Sequence, residues 1–167
     1  MVKVLFVCLG NICRSPMAEA VFRRQVRDAG LEARIEVDSA GTGDWHVGQR
    51  PHEGTRKLLE KKGIDWKGIV ARQVTQGDMR RFDYIVAMDG SNLQNLRAIA
   101  GYAGSRPGDG EGSGAEPKLI RLLDLVPETK LEDVPDPYYT GNFEEVYELV
   151  EAGCAALLRT IRAELPA

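Results

Sequence analysis

Apolar positions along this chain follow two periodicities that take turns. Four short runs are rich in β-branched and apolar residues: Val2 to Cys8 (VKVLFVC), Arg34 to Ser39 (RIEVDS), Tyr84 to Met88 (YIVAM) and Leu119 to Leu123 (LIRLL). These read as strands. Helical spacing fills the stretches between them. From Pro16 onward, Ala18, Val21, Phe22 and Val26 repeat on one face while Arg23, Arg24 and Arg27 are left for solvent, and Gly30 stands where a C-terminal cap belongs. A second helix is predicted over roughly 53–62, closed by Gly63. A third starts at Ser91, with Gln94 three residues on as in a capping box, and carries Leu93, Leu96 and Ala100 before Gly101. In the last, Asn142 with Glu145 marks the start, and Phe143, Val146, Tyr147, Val150, Cys154, Leu157, Leu158 and Ile161 form one stripe.

Strands alternating with helices imply right-handed βαβ crossovers. The expected fold is α/β: a three-layer sandwich with a central four-stranded parallel twisted sheet and helices on both faces. With 167 residues the chain suits one domain over residues 1–167, interrupted at about 104–116 by a glycine-rich surface loop (GSRPGDGEGSGAE). The 22 basic and 25 acidic residues give a net charge of −3, no footprint for a nucleic-acid partner. No apolar run is long enough to span a membrane and no signal peptide opens the sequence, so the expected compartment is the cytoplasm. Three cysteines, Cys8, Cys13 and Cys154, do not make a disulfide framework. With only His46 and His52 as histidines, and both read as surface residues, no metal site and no cofactor are expected.

Parallel sheets bind ligands at the carboxyl ends of their strands, which directs attention to the first strand-to-helix turn. It reads Cys8-Leu9-Gly10-Asn11-Ile12-Cys13-Arg14-Ser15-Pro16. Five residues curling from strand to helix can turn their backbone N–H groups inward as a nest for an oxyanion. The helix N-terminus adds its positive dipole end, and Arg14 offers a planar fork for two phosphate oxygens. A nucleotide-binding Walker loop is excluded, since the second glycine and its Gly-Lys-Ser/Thr ending are missing. Cys8 would lie at the bottom of this electropositive cup, where helix N-termini and cationic neighbours favour the thiolate. The groups that hold a phosphate dianion thus also prepare a nucleophile. Hydrolysis through a phosphocysteine also needs an acid for the leaving oxygen and later a base for water, and one carboxyl group can serve both steps. Asp136 stands out for this in Val134-Pro135-Asp136-Pro137-Tyr138-Tyr139, between two prolines and beside two aromatics.

The whole pattern resembles the low-molecular-weight protein tyrosine phosphatases. VLFVCLGNICRSPMAEAVFR, VDSAGTGDW, ARQVT, IVAMD and DPYYTGNFEEVYELVEAGC carry the resemblance across nearly the entire chain. It implies Cys8 as nucleophile, Arg14 as phosphate clamp and Asp136 as general acid. Leu9, Gly10, Asn11, Ile12, Cys13, Arg14 and Ser15 would bind the phosphate, with Asn11 and Ser15 holding the loop in shape and Asp89 orienting the arginine. Ile12, Trp45, Tyr138 and Tyr139 would line the substrate cleft. The implied partners are phosphotyrosine-containing proteins, with inorganic phosphate as product, and a monomer or a weakly self-associating chain. Two departures stand out. Ile69 occupies a place where some members carry a histidine of the loop-supporting network, and the glycine-rich loop is longer than usual.

Alternatives attach to several residues. Cys13 is either a small residue packed under the loop or, as the family supports, a redox partner that forms a reversible disulfide with Cys8. Tyr138, Tyr139 and Trp45 either pack on the scaffold or wall the cleft, and Cys154 belongs to the core. Three rival functions differ from phosphotyrosine hydrolysis. An arsenate reductase would need relay cysteines, and only Cys154 lies downstream. A protein arginine phosphatase would resemble sequences with threonine where Ile12 stands. A non-catalytic phosphotyrosine-binding module would not need Cys8, Arg14 and Asp136 together.

Overall fold

The side chains of the first strand divide alternately between two cores. In a computed structural model, which describes residues 1–104 and 117–165 (side chains of 102–104 excepted), β1 spans Val2–Cys8. Its Val4, Phe6 and Cys8 enter one hydrophobic cluster and its Leu5 and Val7 the other. A strand buried on both faces must read as an unbroken apolar run, which is why VLFVC shows no polar alternation. The first cluster is closed by helices α1 (Arg14–Asp28), α2 (Glu53–Lys61) and α6 (Phe143–Glu164), the second by α3 (Asp78–Arg81) and α4 (Gly90–Gly104). The result is the expected three-layer α/β sandwich.

Strands β2 (Ile35–Gly41), β3 (Tyr84–Ala87) and β4 (Lys118–Arg121) complete a parallel sheet of order β2-β1-β3-β4. β1 lies between β2 and β3, with Cys8 beside Gly41 and Val7 beside both Ala40 and Ala87. The chain therefore reverses its direction of travel across the sheet at β1, and the crevice falls at the carboxyl end of that strand.

Several boundaries differ from the sequence reading, each for a packing reason. β2 runs to Gly41 rather than Ser39 because Ala40 and Gly41 still pair with β1. β3 ends at Ala87, and Met88 leaves the ladder while its N–H still reaches the Val7 carbonyl at 3.0 Å. β4 covers Lys118–Arg121; Leu122 and Leu123 turn inward on a 3-10 segment, Leu122–Leu125, beneath α6. α1 starts at Arg14, which puts Pro16 third in the helix, where its missing N–H would have had no partner. α4 is capped by Asp89 rather than Ser91, with Asn92 N–H donating to Asp89 Oδ1 at 2.7 Å, and it continues through Gly101. The capping of α6 by Asn142 is as expected: Asn142 Oδ1 accepts from Glu145 N–H at 3.1 Å. The glycine-rich segment from 105 to 116 lies outside the described residues. Among the described residues, no helix is long and apolar enough to cross a membrane, and no cluster of three His, Cys, Asp or Glu is placed to hold a metal.

Candidate active site

The turn from β1 to α1 wraps around the sulfur of Cys8. Asn11 takes a left-handed conformation (φ 56°), tolerated by a short polar side chain, and this turns its N–H onto Cys8 Sγ at 3.3 Å. The end of β2 follows the loop closely, with Thr42 N–H on the Cys8 carbonyl and Gly43 N–H on the Leu9 carbonyl, both at 2.9 Å. Gly41 is required there, because a Cβ would stand 2.8 Å from the Leu9 carbonyl oxygen.

Beneath the loop runs one buried polar chain. The backbone N–H of Arg72 donates to Asn11 Oδ1 at 2.9 Å, which commits Asn11 Nδ2 to donating. It does so to Ser15 Oγ at 2.8 Å and to Ser39 Oγ at 3.0 Å. Ser15, already an acceptor, is free to turn its hydroxyl hydrogen to Cys8 Sγ, 3.0 Å away. Ser39 in turn donates to Glu19 Oε1 at 2.6 Å. Cys8 Sγ thus accepts from the Asn11 N–H and lies within hydrogen-bonding distance of Ser15 Oγ, whose hydrogen the Ala40 carbonyl at 3.5 Å can also take. The chain of bonds ends on Glu19, which is buried in α1 and paired with Arg23. Burial raises the carboxyl of Glu19 above the ordinary range, against the hydrogen bond from Ser39 and the charge of Arg23.

Arg14 is held chiefly through Nη1. Its Nη1 donates to Asp89 Oδ2 at 2.7 Å and to the Val134 carbonyl at 3.0 Å, while the buried Nε has no partner among the described residues. Nη2 stands 3.5 Å from Asp136 Oδ2. Burial opposes its charge, but neighbouring Cys8, Asp89 and Asp136 outweigh that and push its pKa further up. Asp89 does double work, since one oxygen caps α4 and the other aims the guanidinium.

The carboxyl of Asp136 sits across the cleft. Val134 N–H bonds the Met88 carbonyl at 2.9 Å, fixing this segment to the end of β3. The Asp-Pro-Tyr-Tyr stretch is a single helical turn, α5 (Pro137–Thr140), with Asp136 as its N-cap: Oδ1 accepts from Tyr138 N–H at 3.1 Å. An acidic cap followed by proline at the first helical position is a sequence signal of such a start.

The resulting cleft, about 210 Å³, is lined by Cys8, Leu9, Gly10, Ile12, Cys13 and Arg14 on its floor and by Trp45, His46, Asp136, Tyr138 and Tyr139 around it. Every expected cleft residue lies there. Of the seven expected phosphate-loop residues, Asn11 and Ser15 put their side chains underneath rather than into the space. His46 belongs to the wall although its sequence reading was plain surface; its position beside Trp45 was the available signal. Burial and the negative neighbours Cys8 and Asp136 push the Cys13 thiol up to about 12, so it stays protonated beside the floor. Cys154 is fully buried, with Sγ 3.8 Å from the Ala18 carbonyl, away from the cleft.

Attack by a cysteine at the first strand–helix turn of a parallel sheet, with an arginine fork behind it and a carboxyl opposite, is the chemistry of the cysteine-dependent phosphatases. The comparisons narrow that class. Residues 3–167 match the family model described as low molecular weight phosphotyrosine protein phosphatase, and the chain belongs to this family. It is 52% identical over 164 residues to the low molecular weight protein-tyrosine-phosphatase YfkJ of Bacillus subtilis, covering 98% of each chain. To PtpA of Staphylococcus aureus (strain MRSA252) it is 44% identical over 158 residues, covering 95% of this chain and 92% of the relative. The crystal structure of YfkJ superposes with a TM-score of 0.88 over 99% of this chain and 98% of that one. That of DARP, the drosophila arginine phosphatase, gives 0.83 at 34% identity, over 96% and 98%.

Proposed function

We propose that this protein hydrolyses phosphotyrosine in proteins, and small aryl phosphates, through a covalent phosphocysteine. The phosphoryl oxygens sit in the loop with the Nε–Nη2 edge of Arg14, whose Nη2 also reaches Asp136, closing over two of them. Cys8 thiolate attacks phosphorus and the bond to the phenolic oxygen breaks, with the electron pair going to the leaving group. Asp136, protonated at this stage, gives its proton to that oxygen. Its carboxylate then takes a proton from a water molecule that attacks the phosphocysteine. The sulfur–phosphorus bond breaks, inorganic phosphate leaves and the thiolate is restored. The observation that carries this reading is the buried Nε of Arg14 near Cys8, which has no hydrogen-bond partner among the described residues, because a purely structural arginine buried to this degree would have all its donors bonded.

The apolar Ile12 on the cleft floor, with Trp45 and Tyr138 also lining the cleft, supports an aromatic leaving group over a phosphoarginine. Cys154, buried away from the cleft, supports no arsenate-reductase relay. The test is turnover of a phosphotyrosine peptide and of phosphoarginine, with chelator present, by the wild type and by Cys8→Ser. Wild type should release phosphate from the peptide, and Cys8→Ser should lose at least about 10⁴-fold while still binding phosphate. Preferred turnover of phosphoarginine, or an active Cys8→Ser protein, would reject the reading.

A further inference from the structure

His52 joins the two sides of the cleft. Its backbone N–H donates to the Ile12 carbonyl in the phosphate loop at 2.7 Å. Its Nδ1 accepts from Gly54 N–H at 3.0 Å, capping α2, which fixes the tautomer with the proton on Nε2. The ring stacks on Phe143 (centroids 5.3 Å, planes 21° apart) and meets Tyr138 edge-on (5.9 Å, 75°). Phe143 itself packs on Ile12 and Cys13 of the loop. Gly54 keeps that space open, since a Cβ there would lie 2.3 Å from the Phe143 ring. The other neighbour, Tyr138, donates its backbone N–H to Asp136, so whatever seats Tyr138 also seats the acid.

Given the reaction proposed above, we infer that His52 is a positioning residue whose ring, wedged between Phe143 and Tyr138, sets the distance from the Asp136 turn to the phosphate loop. It touches no reacting atom. Capping α2 is a separate task of the same side chain, and the two come apart by substitution. In His52→Asn, Oδ1 replaces Nδ1 as cap acceptor but the ring is gone; in His52→Phe the ring remains and the cap is lost.

The measurement is kcat/KM on nitrophenyl phosphate, a good leaving group, and on phenyl phosphate, a poor one that needs the acid, with a thermal midpoint for each variant. His52→Asn should keep its midpoint within about 2 °C. It should hold nitrophenyl phosphate turnover within about twofold while losing about tenfold on phenyl phosphate, because displaced acid geometry tells only where a proton is required. His52→Phe should regain most of the phenyl phosphate activity. A double-mutant cycle guards against a poorly folding Phe variant: in a Tyr138→Ala background, His52→Asn should add no further leaving-group effect. Equal losses on both substrates, no loss, or an undiminished effect without Tyr138 would overturn the inference. A wild type inactive on both substrates would instead reject the phosphatase reading on which the inference rests.

Discussion

Asn11 is 1% exposed and bonded at both ends of its amide, whereas Tyr139, on the other side of the same cleft, is 77% exposed. The floor of the cleft is underlain by a buried polar chain in which each hydroxyl and amide has a partner, while the rim is a set of exposed aromatics around one carboxyl. Buried polar groups are costly to leave unmatched, so the floor holds one arrangement before any substrate arrives. That suits the part that must meet transition-state charge. The rim carries no such constraint and suits recognition and proton delivery. Substitutions in the floor should therefore damage every substrate alike, and those in the rim should discriminate among them.

The largest discriminating effect belongs to Asp136. Asp136→Asn keeps the cap on Tyr138 through its amide oxygen but has no proton to give. Its kcat on phenyl phosphate should fall by about 10² or more, and on nitrophenyl phosphate by less than about tenfold, as expected for loss of a general acid. Equal falls would remove Asp136 from that role. Asn11→Ala is the counterpart in the floor. It leaves Ser15, Ser39 and the Arg72 N–H each short of a partner, so both substrates should slow together, by about tenfold, with a lowered thermal midpoint. A slowing that depended on the leaving group would break the division between floor and rim.

The asymmetry also explains what the sequence discloses. The Cys8–Pro16 turn was legible because strand, nest, arginine and helix start all lie within nine contiguous residues, and local chemistry is written locally. The alternation of β1 between two cores was legible from its unbroken apolar run. Glu19 was missed: on α1 it lies between Ala18 and Ala20 on the buried side, one turn after Ser15, and only the fold brings it to Ser39. A glutamate inside an apolar stripe was the available signal. The bridging ring of His52 had no signal at all, since its two neighbours, Tyr138 and Phe143, stand more than eighty positions away. The shift of the α4 cap from Ser91 to Asp89 has a similar root, because Asp89 is also held by Arg14, a tertiary contact.

Glu19 gives a smaller effect with a definite sign. Its folded-state pKa is raised, chiefly by burial, so the folded protein holds this proton more tightly than the unfolded chain does. The associated stability is full below the ordinary glutamate value of about 4.3 and is lost as pH rises through the raised folded value. Glu19→Gln does not titrate and so does not suffer that loss. Relative to wild type, the variant should gain stability as pH rises above about 4.3, read from denaturation midpoints at several pH values. A stability difference flat across this window would show that Ser39 and Arg23 fully offset the burial of the charge.

The smallest effect is expected at the outermost point of the rim. Trp45 is 67% exposed, its ring folded over Gly43, where a Cβ would come within 1.8 Å of it, and it still lines the cleft above the loop. A side chain so placed can meet the aromatic ring of a substrate but neither the phosphoryl oxygens nor the sulfur. Such a contact is made equally in ground and transition states, so its loss weakens binding without changing the chemical step. Trp45→Ala should raise KM for a phosphotyrosine peptide about threefold to fivefold at constant kcat, and leave inhibition by inorganic phosphate unchanged. Phosphate, which has no ring, reports the floor alone. If it too bound more weakly to Trp45→Ala, the tryptophan loop would be part of what shapes the phosphate nest, through the bonds of Thr42 and Gly43 to the Cys8 and Leu9 carbonyls, and rim and floor would be one unit.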